Sequence, residues 1–113
     1  MKNFTRLLIG ITLFGVIGVS SAKAANVSFG HNVINYVSGG NVGSDCYSSG
    51  TAFSKAKCSE YGKAIQVRVA DTYGRAKSAS SSGYNTTYTY TAGLTTAGNN
   101  NNHTHTYSVW TLS

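Results

Sequence analysis

Over residues 64–70 the chain alternates strictly, with Ile65, Val67 and Val69 on one side and Gln66 and Arg68 on the other. A two-residue period sends successive side chains to opposite faces of a pleated backbone, so this segment specifies a strand with one buried face. The period returns as Tyr/Thr alternation over residues 86–92 and again over residues 103–112. Tyr and Thr both suit a half-buried pleated surface. Weaker strand candidates are residues 27–29, 33–37, 52–58 and 75–80. Clusters of Gly, Ser and Asn at residues 38–41, 48–50, 80–83 and 98–102, with Tyr73-Gly74, mark turns between them. Nothing after residue 24 shows the three-to-four spacing of an amphipathic helix. The expectation is an all-β domain, either a small antiparallel β-sandwich or a twisted sheet.

The first 24 residues are of another kind. Lys2 and Arg6 precede an apolar run over residues 7–19, followed by Ser20-Ser21-Ala22-Lys23-Ala24. A charged start, a short apolar helix and small residues at Ala22 and Ala24 form a secretory signal with an A-x-A cleavage site. The run of 13 residues is too short for a membrane span, which takes roughly 20. The reading is therefore a signal peptide over residues 1–24 and a single secreted, extracellular β domain over residues 25–113, with no stable membrane span in its mature form. Export also removes nucleic acid from the set of partners.

From Ala25 onward, Val, Ile, Leu, Phe, Trp and Met number 14 in 89 residues, so the core must be thin and must draw on the eight tyrosines. In a domain this small a covalent staple matters. Cys46 and Cys58 enclose 11 residues and would sit in an oxidising compartment, so a disulfide between them is expected, worth about 3 kcal/mol on the chain-entropy model.

Catalysis finds little raw material. Asp45, Glu60 and Asp71 are the only carboxylates, and there is no G-x-S-x-G elbow, no phosphate loop and no H-E-x-x-H. The chain is read as a non-enzyme without cofactor. His103 and His105 project from one face of a strand and, with His31, could grip a transition metal. In a Thr-rich terminal strand the two histidines are expected to be solvated, with no metal bound.

Six cations, Lys55, Lys57, Lys63, Arg68, Arg75 and Lys77, leave the mature segment at about +3 against its three carboxylates. Lys55, Lys57, Arg68, Arg75 and Lys77 with Tyr73, Tyr88 and Tyr90 form the candidate target-binding set, cations attracting anionic surfaces and tyrosines adding rigid contact area. Anionic wall precursors and polymers of the cell envelope share the exported protein's compartment.

Ser44-Asp45-Cys46-Tyr47 followed by Ala56, the stretch over residues 70–80, and the Tyr-rich stretch over residues 85–90 together resemble the lactococcin 972 family of Gram-positive bacteriocins. Tyr73 stands where that family usually carries tryptophan. The resemblance implies a compact β-sandwich and growth inhibition of related bacteria at their envelope. A structural or adhesive surface protein that self-associates through strand edges is the alternative.

Overall fold

The computed structural model describes residues 25–112, so the signal-peptide reading with its Ala22 and Ala24 cleavage site lies outside the described residues. The described chain is all-β. Its strands are β1 Val27–Phe29, β2 Ile34–Val37, β3 Gly40–Tyr47, β4 Thr51–Asp71, β5 Ala76–Tyr84, β6 Thr89–Tyr90, β7 Leu94–Thr95 and β8 His103–Thr111. They form one curled antiparallel sheet in the order β1-β8-β4-β3-β2, with β5, β6 and β7 also paired to β4. Among the described residues no helix is long and apolar enough to cross a membrane.

The 21-residue β4 organises everything else. Its first half pairs with β3, β6 and β7, and its second half with β5 and β8. Between them, Glu60 pairs with Gly83 and Ala64 with Ser82, so Tyr61, Gly62 and Lys63 have no counterpart on β5. Gly62, at φ 80°, supplies the positive dihedral at this bulge. An odd number of extra residues moves the inward set to the other parity. Ala52, Ser54, Ala56 and Cys58 are accordingly buried before the bend, and Ile65, Val67 and Val69 after it.

Those two sets make the core. Val42, Ala56 and Cys58 meet Ile65 and Val67, flanked by Phe29, Val37, Ala79, Tyr107 and Val109. A second cluster joins Ala52, Val69 and Leu94. Small residues on one half of β4 face branched residues on the other, which is how 14 large apolar side chains suffice.

Several expectations shift. The separate strands anticipated at residues 52–58 and 64–70 are one continuous strand. The turn anticipated at residues 38–41 leads directly into β3, whose Gly-Asn-Val-Gly start has low β-propensity. Close packing explains the glycines. A Cβ on Gly40 would lie 2.0 Å from the Lys57 carbonyl oxygen, and one on Gly43 would lie 2.5 Å from Lys55 Cε. The Tyr/Thr stretch contracts to the two residues of β6 because Thr91 turns inward. Its hydroxyl accepts from the Ser54 backbone N–H at 3.1 Å, in place of a ladder carbonyl.

The expected Cys46–Cys58 disulfide is overturned, since both cysteines are free. Cys46 is registered with Ala52 and Cys58 with Gly40, six ladder steps apart along β3, or about 20 Å at roughly 3.3 Å per residue. A disulfide needs Cα atoms within about 7 Å. The Cys58 thiol instead donates to the Lys63 carbonyl at 3.3 Å, closing the bend. Excess reductant is therefore expected to leave the melting temperature unchanged in thermal unfolding followed by circular dichroism. A fall of several degrees contradicts this assignment.

Candidate functional site

The eight residues expected to bind a target fall into three places. The first is the outward face of the β3–β4–β6 region. Phe53, Lys55 and Lys57 alternate outward along the first half of β4, because Ala52, Ser54, Ala56 and Cys58 take the inner positions. Across the ladders Asp45 is registered with Phe53, Gly43 with Lys55 and Asn41 with Lys57, while Tyr90 of β6 is registered with Lys55. The bare backbone of Gly43 leaves room for the Lys55 stem to lie over it.

The ammonium groups are held by rings. Lys55 Nζ stands 5.1 Å from the Tyr88 ring centre and 5.6 Å from that of Tyr90, and Lys57 Nζ stands 5.1 Å from Tyr88. Tyr88 thus lies within reach of two cations, contacts worth about 0.5–1 kcal/mol each where solvent reaches them. Asp45 meets Lys55 at 3.5 Å. Among the described residues no carboxylate pairs with Lys57, so Lys57 is the freer of the two charges. Tyr47 and Phe53, with ring centres 5.6 Å apart, extend the aromatic surface along the same face.

Arg68 is elsewhere. It projects outward from the second half of β4, between Ser78 of β5 and Thr106 of β8. Because the two halves of β4 turn their inner faces toward each other, Arg68 and Lys55 point to opposite sides of the molecule. Tyr73, Arg75 and Lys77 form the third group, at and after the β4–β5 turn. Arg75 Nε donates to Asp71 Oδ2 at 2.5 Å, and its Nη2 donates to the Thr95 carbonyl at 3.1 Å. Burial opposes ionisation of Asp71. The backbone N–H groups of Arg75 and Tyr73 and the Arg75 guanidinium outweigh it, holding the carboxyl below the usual carboxylate range. Arg75 is thereby committed to a structural pair. With Lys77, Gly93, Leu94 and Thr95 it lines a cleft of about 440 Å³. The cationic set is therefore three separate features rather than one face, because the bend in β4 divides it.

A different cluster is fully assembled. His103 and His105 were expected to be solvated and are instead buried, at 3% and 0% exposure. The β1–β8 register pairs Phe29 with His105 and, carried two residues further, sets His31 beside His103. The three imidazoles meet edge to face, with ring centres 4.5 Å apart for His31 and His103, 5.1 Å for His31 and His105, and 5.0 Å for His103 and His105. One ring nitrogen from each lies within 4.8 Å of the other two. The sequence carried half of this signal, the i, i+2 histidines on a strand. The other half depended on a long-range register, which adjacency in sequence does not display.

Burial is the main influence on the two β8 rings. It pushes His105 down to about 4, helped by its neighbours His103 and His31. Burial and then His31 also lower His103, against a smaller opposing effect of the Asn99 carbonyl. Both rings are neutral at pH 7. His31 Nδ1, His103 Nε2 and His105 Nε2 are the buried side-chain polar atoms without a hydrogen-bond partner among the described residues. An orphaned buried polar atom costs about 1–3 kcal/mol, and here all three share one location.

No family model, curated protein or solved structure matches the chain.

Proposed function

We propose that the chain is an exported, non-catalytic antimicrobial protein of bacteriocin type, which inhibits related bacteria by binding an anionic, phosphate-bearing component of their envelope. The observation that carries this reading is the placement of Lys55 and Lys57 over Tyr88 and Tyr90 on one outward face. Ring contacts hold the two ammonium groups before any ligand arrives, so less side-chain freedom is lost on binding. Tyr47 and Phe53 offer an apolar surface beside the charges, suited to the carbon backbone of a polyol phosphate or a glycan. The curled sheet, with the two halves of β4 facing each other, is read as the compact sandwich implied by the bacteriocin resemblance. The leader-like residues 1–24 support export, and the scarcity of carboxylates supports action by binding. The mature domain is read as extracellular.

The test is equilibrium binding to purified polyglycerol phosphate, with growth inhibition of Gram-positive strains measured alongside. Binding is expected to weaken as salt rises, since exposed charges are screened over about 10 Å at 0.1 M. Lys55→Ala with Lys57→Ala is expected to lower affinity on the order of tenfold to a hundredfold, hydrogen bonds to charged groups being worth about 1.5–3 kcal/mol before discounting for exposure. Affinity indifferent to both substitutions and to salt contradicts the reading.

A further inference from the structure

We propose that His31, His103 and His105 bind one divalent late first-row transition-metal ion of the zinc type, through His31 Nδ1, His103 Nε2 and His105 Nε2, with a fourth position open to water. Hydrogen bonding fixes which nitrogen of each buried strand histidine is free. The Ser54 hydroxyl donates to the Arg68 carbonyl at 3.1 Å, so its oxygen accepts from His105 Nδ1 at 2.9 Å. His105 Nδ1 therefore carries the proton and Nε2 the lone pair. His103 Nδ1 lies 3.0 Å from the Asn99 carbonyl, which can only accept, so its Nε2 also presents a lone pair. Donation of the second ring N–H to a carbonyl or hydroxyl is the arrangement that orients metal-ligating histidines and raises their basicity.

The third histidine is held in place by its backbone. His31 lies in the connection between β1 and β2, outside every strand. The Ser44 hydroxyl donates to the Gly30 carbonyl at 2.6 Å and accepts from the Val33 N–H at 3.4 Å, and the Ser44 N–H donates to the Val33 carbonyl at 3.0 Å. Asn32, at φ 56°, accepts the Cys46 N–H at 2.8 Å through Oδ1. Both sides of His31 are thus tied to β3. A tetrahedral ion at about 2.0–2.1 Å from each nitrogen separates its ligands by about 3.3 Å. Nitrogens within 4.8 Å of one another reach that spacing by small ring rotations.

Ligand chemistry narrows the ion. Three imidazole nitrogens suit zinc, copper or nickel and disfavour the hard cations calcium and magnesium, which take oxygen. The nearest carboxylate by register, that of Asp71 opposite His103, is occupied by Arg75 and two backbone N–H groups. The ion joins β8 to the β1–β2 connection, which is itself fastened to β3. It thereby supplies the staple between the two halves of the sheet that the free cysteines do not.

The experiment titrates the purified protein, carried without a histidine tag, with Zn²⁺ against a chromophoric chelator, and with Co²⁺ by visible absorption. One equivalent is expected to bind, with the intense Co²⁺ bands of a four-coordinate site and a melting temperature raised by Zn²⁺. His31→Ala, in a half-buried connection, is expected to keep the parent circular dichroism, to bind at least about a hundredfold more weakly and to lose the thermal shift. His103→Ala should behave likewise in metal binding. A folded parent protein that takes up none of Zn²⁺, Cu²⁺ or Co²⁺ overturns the proposal, as does a His31→Ala variant that retains parent affinity.

Discussion

Replacing Gly40 by alanine is expected to remove about 3 kcal/mol or more of stability, enough to unfold much of a domain whose total is on the order of 5–15 kcal/mol. The added Cβ would sit 2.0 Å from the Lys57 carbonyl oxygen, 3.0 Å from Cys58 Cα and 3.0 Å from Ile65 Cδ1. Two of those neighbours are backbone, so no side-chain rotation relieves the clash, and the β3–β4 ladder has to separate beside the principal core cluster. Gly30→Ala is the matching control. Its nearest neighbours are the two Val33 methyl carbons at 3.6 Å, an ordinary contact. Urea unfolding is expected to show a much lower midpoint for Gly40→Ala and nearly the parent midpoint for Gly30→Ala. Equal midpoints in the two variants would contradict the β3–β4 packing.

Ser54→Ala is the second large effect, expected at about 1.5–4.5 kcal/mol. Ser54 is fully buried between the two halves of β4, with its hydroxyl bonded to the Arg68 carbonyl and to His105 Nδ1. Removing that one oxygen strands the buried His105 Nδ1–H, at about 1–3 kcal/mol, and takes from the Arg68 carbonyl, which stays in the β4 ladder, a second hydrogen bond worth about 0.5–1.5 kcal/mol. The alanine methyl adds little in return because the site is closed on all sides. The same urea series measures it, and a loss below about 1 kcal/mol would show that the buried hydroxyl does not bridge the halves.

Much of the strand content was legible because the two-residue period is a local property. The segment from Ile65 to Val69 reads directly as a strand with one buried face, and the C-terminal alternation from His103 reads as β8. The strand β3 was not legible. Its Gly, Asn and Asp content favours turns, and Gly40 and Gly43 are required only by the close approach of Lys57 and Lys55 on the neighbouring strand. The bend in β4 was hidden for a related reason. Three unpaired residues around Gly62 reverse the inward parity without interrupting the strand, so two alternating runs looked like two strands. That bend also decides the candidate sites, because it separates Arg68 from Lys55 and Lys57, whereas the β3–β4 hairpin register keeps Cys46 and Cys58 apart. The histidine cluster combines a local signal in His103 and His105 with a register between the first and last strands, which only the folded chain provides.

Titration with polyglycerol phosphate, followed by amide chemical shifts, tests the proposed binding face most directly. Saturable shifts are expected at residues 41–47, 53–57 and 88–91, shrinking at high salt. Shifts centred on Arg68, Ser78 and Thr106, shifts centred on the turn from Asp71 to Lys77, or no saturable change at all would contradict it.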